Sequence, residues 1–206
     1  MSVVEPLPTR KLGVSARVAN RITRRYTGAP IDMASIALAA RIPALLRASA
    51  GMERFFIGRR AVSGQLLELV AVRTAAELGC LHCLDIGSYI LASKHGLPEE
   101  KLRALHDHAS SPAFEPAERA ALDLAVAMTA TPPSVTPELE ARLREHFNDR
   151  QRLELVAMIA WENHRSRMNL ACGVPAQGYT EFGACALAQP ASTVRGAESA
   201  AAPVVA

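Results

Sequence analysis

A chain of 206 residues, half of them hydrophobic, can bury a core of its own, and 21% charged residues exclude bulk disorder. The formal net charge of +3, from 23 basic and 20 acidic side chains, is too slight to point to nucleic acid. Aromatics are only 4%, and Ala, Leu and Arg take their place, a composition of packed helices rather than sheets.

In chain order, residues 1–13 are Pro-rich and without periodicity, and they read as a loose arm. Val14, Val18 and Ile22 then recur every fourth residue, among Arg17, Arg21, Arg24 and Arg25. This is a short amphipathic helix with a basic face, expected to be solvated or to meet another subunit. A helix follows over 32–41 with Asp32 as its N-cap, and another over 43–57 opened by Pro43. Ser63 caps a helix over 64–78, which Gly79 ends, and Cys80 to His95 forms the next. Residues 99–108 are a short element. Glu115-Pro116 opens a helix through Thr129, Thr136-Pro137 opens one over 138–147, and Asn148 or Asp149 caps the last, over about 150–170. No alternating strand pattern occurs, so the fold class is all-α, with seven to nine helices. The division expected is an arm over 1–30, a helical domain over 31–185 and a disordered tail over 186–206.

No signal-peptide pattern opens the chain, and the most apolar stretch, 31–50, is broken by Asp32, Arg41, Pro43 and Arg47. A cytoplasmic, reducing setting is expected, with neither membrane nor nucleic acid as partner. In that setting a C-x-x-C is more often a catalyst than a clamp. Cys80 and Cys83 form one here, directly after Gly79 at the start of a helix. A helix N-terminus favours a thiolate, and one turn of spacing lets a disulfide close. Buried structural thiols, or a zinc site completed by His82 and by Cys172 or Cys185, are the competing readings. Glu68 has Ala71, Val72 and Ala75 on its own helical face, so burial should raise its pKa toward general acid–base use. Arg73 and Glu77 read as an ordinary surface pair, His106 and His108 as surface residues pointing apart, and Cys172 and Cys185 as bystanders.

The constellation Glu68, Cys80, His82 and Cys83, an E-x11-C-x-H-C pattern, resembles the active site of the alkylhydroperoxidase D (AhpD) and carboxymuconolactone decarboxylase superfamily. The likeness runs over about residues 34–182 and takes in the L-P-E-E-K-L, F-x-x-A-E-R-A-A-L and W-E-N-H-R-S-R-M-N segments. It implies an AhpD-like helical bundle that assembles into homo-oligomers. By the same resemblance Cys83 attacks a hydroperoxide or a partner disulfide and Cys80 resolves it. Glu68 belongs to a proton relay, His82 is an accessory, and Asn163 and Arg167 are structural or interfacial. No metal or organic cofactor is implied, but an external thiol reductant is.

One position departs from the pattern. The family carries a histidine four residues after the second cysteine, and Gly87 stands there. A glycine cannot shuttle a proton. His164, on another helix, could in principle reach the gap; otherwise it is a surface or core-edge histidine. Restored turnover in Gly87→His would show that the relay position is what this chain lacks. The function expected is a thiol-dependent antioxidant oxidoreductase. The alternatives are a non-catalytic redox-sensing or interaction protein of the same fold, and a carboxymuconolactone decarboxylase-type enzyme acting on a small organic acid.

Overall fold

The computed structural model describes residues 2–58 and 60–179. Cys185 and the tail expected over 186–206 lie outside the described residues. Among these residues there are nine α-helices and no strand: α1 Val14–Thr27, α2 Ala34–Ala39, α3 Pro43–Ile57, α4 Gly64–Leu78, α5 Leu81–Ser93, α6 Glu99–Arg103, α7 Pro116–Thr129, α8 Pro137–His146 and α9 Asp149–Ala171. Most boundaries follow from short-range chemistry. The Ser63 hydroxyl accepts the Leu66 N–H to start α4, and Gly79, at φ +70°, ends it in the left-handed region. Reciprocal capping boxes open α7 (Glu115 with Glu118) and α9 (Asn148 with Gln151). Asp32 does not cap α2. Met33 holds that position, and Asp32 instead faces Arg24 at 3.6 Å.

Helix α4 is the axis of the molecule, packed on α5, α7 and α9. Every residue from Leu69 to Ala75 is buried, as expected of a helix enclosed by neighbours on all sides rather than lying on one face. Small residues make that possible: Ala71 and Ala75 of α4, with Ala120, Ala121 and Ala125 of α7, all belong to one core. Arg73 is therefore not half of a surface pair. It is buried within α4, 2.6 Å from Glu77. His108, expected on the surface, is 4% exposed, with Nε2 2.9 Å from Asp123 Oδ1.

The N-terminal segment is not loose. The Val3 N–H donates to the Ala171 carbonyl, the Ser2 hydroxyl to that of Cys172, and Leu12 is buried beside Ala16, Ala37 and Leu46. Helix α1 buries Ala16, Asn20 and Thr27 and leaves its apolar stripe outside, with Val14 79% and Ile22 59% exposed. After α9, residues 174–179 run back as a strap. Pro175 O lies 3.2 Å from His82 Nδ1, the Gln177 N–H donates to Asp85 at 2.7 Å, and Gln177 Oε1 accepts the Ala34 N–H. The strap ties the end of α9 to the start of α5 and to α2. No helix among the described residues is long and apolar enough to cross a membrane.

Candidate functional site

Cys80 is the N-cap of α5, and its sulfur accepts the Cys83 N–H at 3.4 Å. The spacing read as one helical turn thus brings the two sulfurs to the same helix end. Both thiols are free and buried, Cys80 at 1% exposure and Cys83 at 8%. A hydrogen bond from the Cys83 thiol, with the backbone one beside it, holds Cys80 below its ordinary pKa, against burial; the thiol–thiol bond is the larger of the two. The same bond pushes Cys83 up, as do burial and the nearby Glu162 carboxylate. The two thiols therefore titrate together, as one unit rather than as separate residues.

Glu68 projects from α4, and burial raises its carboxyl from 4.5 to about 7. Arg165 works against that rise, while Glu162 and Glu53 add to it. The residue is not sealed, since part of it reaches the surface. A carboxyl at this value is half-protonated near neutrality, where general acid–base groups are most useful. His82 is 2% exposed and burial lowers its pKa, so it is neutral, with Nδ1 toward the strap at Pro175. Among the described residues no set of three His, Cys, Asp or Glu side chains is arranged to hold a metal ion.

Position 87 explains itself sterically. A Cβ there would stand 2.5 Å from Val72 Cγ2 and 3.3 Å from Glu68 Oε1. The space in which the family's histidine would begin is filled by α4. Gly87→His is therefore not expected to restore turnover: the stiff, buried Val72 and the carboxyl it would need to serve are both in the way. Alanine in place of an interior glycine ordinarily stabilises a helix by about 1 kcal/mol. Here overpacking of roughly 1–3 kcal/mol should win, so Gly87→Ala is expected to lower the urea midpoint. A midpoint at or above that of the wild type would show that Val72 can turn aside.

His164 does not come to the gap either. It lies on the exposed side of α9, its ring stacked on Trp161 with centroids 4.9 Å apart. Asn163 bonds the Thr129 hydroxyl and the Ile159 carbonyl, a structural pairing. The residues that do meet the thiols from α9 are others. Asn169 Nδ2 donates to the Cys83 sulfur at 3.4 Å, and the Ser166 hydroxyl works to lower the pKa of both thiols. Ser166 also donates to Glu162 Oε1 at 2.7 Å, and Arg165 binds Glu162 Oε2. Arg165 further donates to Glu53 Oε1 at 2.9 Å, which Trp161 Nε1 shares. Glu162, Arg165, Ser166 and Asn169 follow each other at helical spacing, the signal from which this face could have been read in the sequence.

The profile of the carboxymuconolactone decarboxylase family matches residues 43–127. The uncharacterized protein YnjA of Escherichia coli (strain K12) is 41% identical over 110 residues, 53% of this chain and 60% of that protein. The uncharacterized protein YdfG of Bacillus subtilis (strain 168) is 34% identical over 107 residues, 52% of this chain and 72% of that protein. This chain thus spans under two thirds of YnjA. Among solved structures, the debrominase Bmp8 superposes with a TM-score of 0.78 at 21% identity, covering 91% of this chain and 97% of that one. An AhpD-core, peroxidase-related protein from Ralstonia eutropha JMP134 gives 0.73 at 22% identity, covering 86% and 94%. At such identities the two structures establish a common fold.

Proposed function

The chain belongs to the carboxymuconolactone decarboxylase family and has the AhpD-like all-α fold, and from that premise we propose that it is a thiol-dependent oxidoreductase. It reduces hydroperoxides, or the disulfide of a partner, through Cys80 and Cys83. The observation that carries this reading is the pairing of two free thiols at one helix start, near a carboxyl that titrates at about 7.

Cys83, the more exposed sulfur, attacks the terminal oxygen of the hydroperoxide while Cys80 takes its proton. The S–O bond forms, the O–O bond breaks, and the departing alkoxide takes the proton of Glu68. Cys83 is then a sulfenic acid. The Cys80 sulfur attacks it, a disulfide forms, and hydroxide leaves with the Cys80 proton as water. An external dithiol reduces the disulfide and is itself oxidised. Glu68 regains its proton from solvent. The scheme uses no metal or organic cofactor. His82 contributes by fixing the Cys80–Cys83 turn to the strap.

Action on a small organic acid fits the site less well. Glu53, Glu68 and Glu162 lie around Arg165, whose guanidinium already bonds two of them, with Lys94 the further cation acting on Glu68. An anionic substrate would meet an excess of carboxylate. One equivalent of an alkyl hydroperoxide added to the reduced protein should remove two thiols and link the Cys80 and Cys83 peptides, seen by mass spectrometry. Thiols that survive excess peroxide would sink the reading. A disulfide that forms without sustained turnover would make the protein a redox sensor.

A further inference from the structure

The loss of the family's histidine leaves the thiol pair without an activating group on its own helix. Gly87 offers no side chain, and α4 closes the space. Yet one stripe of α9 is polar where it meets the thiols: Glu162 is 2% exposed, Ser166 0% and Asn169 5%. Buried polar groups are costly unless bonded, and an apolar stripe would pack this contact at least as well. Each of these three groups is bonded, and the bonds run toward sulfur. Asn169 donates to Cys83 Sγ, Glu162 accepts from Ser166, and the Ser166 hydroxyl works to lower the pKa of both thiols.

We propose that α9 supplies what α5 lacks: Asn169 and Ser166 are the donors that hold the Cys83 sulfur as a thiolate, and Glu162 aims Ser166. The hydroxyl has two settings. While Cys83 keeps its proton, Ser166 donates to Glu162 and offers a lone pair to sulfur. When the proton leaves, the hydroxyl turns and donates to the thiolate beside the Asn169 amide. Arg165 neutralises the Glu162 carboxylate, so that the charge aiming Ser166 does not repel the sulfur unopposed. Asn169 bonds the reacting sulfur, Ser166 turns to it once the proton leaves, and Glu162 acts through Ser166, which makes Glu162 a positioning residue. The idea rests on the dithiol reading above, but it concerns the ionisation of Cys83 alone and needs no substrate to test.

The test is the pH dependence of Cys83 alkylation by iodoacetamide, resolved by peptide mass spectrometry, in a Cys80→Ser background that keeps a capping side chain. Hydrogen bonds to a charged acceptor are worth enough to move a pKa by about one unit each. Ser166→Ala and Asn169→Leu should each raise the alkylation midpoint by about one pH unit, slowing the reaction roughly tenfold near neutrality. Ser166→Thr, which keeps the hydroxyl, should stay at the parent midpoint. Midpoints unchanged in Ser166→Ala and Asn169→Leu overturn the proposal. So does a threonine variant that shifts as far as alanine, because the effect would then be packing. Failure here would leave hydroperoxide turnover standing. Failure of turnover would leave these midpoints as they are.

Discussion

Cys83→Ser is expected to lower dithiol-dependent hydroperoxide consumption by on the order of 10³-fold or more, down to the background of the reductant alone. A serine hydroxyl ionises far too weakly at neutral pH to replace the sulfur, and among the described residues no third thiol caps or lies in the first turn of α5. Cys172, the other described cysteine, is the C-cap of α9. Cys80→Ser should behave differently. The α5 cap survives, and Cys83 can still be oxidised once, so one equivalent of peroxide disappears and the cycle stops at the sulfenic acid. Stopped-flow consumption under single-turnover and multiple-turnover conditions separates the two variants. Wild-type rates in Cys83→Ser would remove the thiol mechanism altogether. A Cys80→Ser protein that cycles at the wild-type rate would show that an external thiol, not Cys80, resolves the intermediate.

The helices were legible because their signals are local. Ser63, Gly79, Glu115-Pro116 and Asn148 mark their ends by chemistry that acts within a turn, and the observed bounds follow them. The thiol pair and Glu68 were legible for a similar reason, since spacing alone fixes their helical faces. What the sequence hid depends on which helices become neighbours. Arg73 looks like half of a surface pair until α4 is seen to be enclosed on every side. The sequence shows the Val14–Val18–Ile22 stripe but not which side of α1 meets the rest of the fold, and α1 buries the side that carries Ala16 and Asn20. His164 lies only two residues from Glu162 and from Ser166, and that offset of about 200° around the helix carries it to the opposite side. Gly87 is the sharpest case. Read alone it is a missing histidine, whereas in the fold it is the room taken by Val72 and by the carboxyl of Glu68.

Glu68→Gln is expected to reduce turnover by about 10²- to 10⁴-fold at and below neutral pH, the usual worth of a positioned acid. The glutamine keeps the shape and the polar contacts but cannot give a proton to the departing alkoxide. The wild-type rate should fall as pH rises through about 7, where the burial-raised carboxyl of Glu68 loses its proton. The variant should show no such limb. The same group leaves a mark on stability, and the sign is set by the direction of the shift. The folded protein holds this proton up to about 7, against an ordinary value of 4.5 for the unfolded chain. Between those values the native state binds more protons than the unfolded state, so Glu68's contribution is complete below about 4.5 and is lost as pH climbs through 7. Urea midpoints of wild type and Glu68→Gln should therefore lie closest at acid pH and diverge above neutrality, with the glutamine protein the more stable. Parallel midpoints across that range would mean that Glu68 ionises freely in the folded protein. The proton for the alkoxide would then have to come from solvent, and the loss of turnover in the variant should shrink to a few-fold.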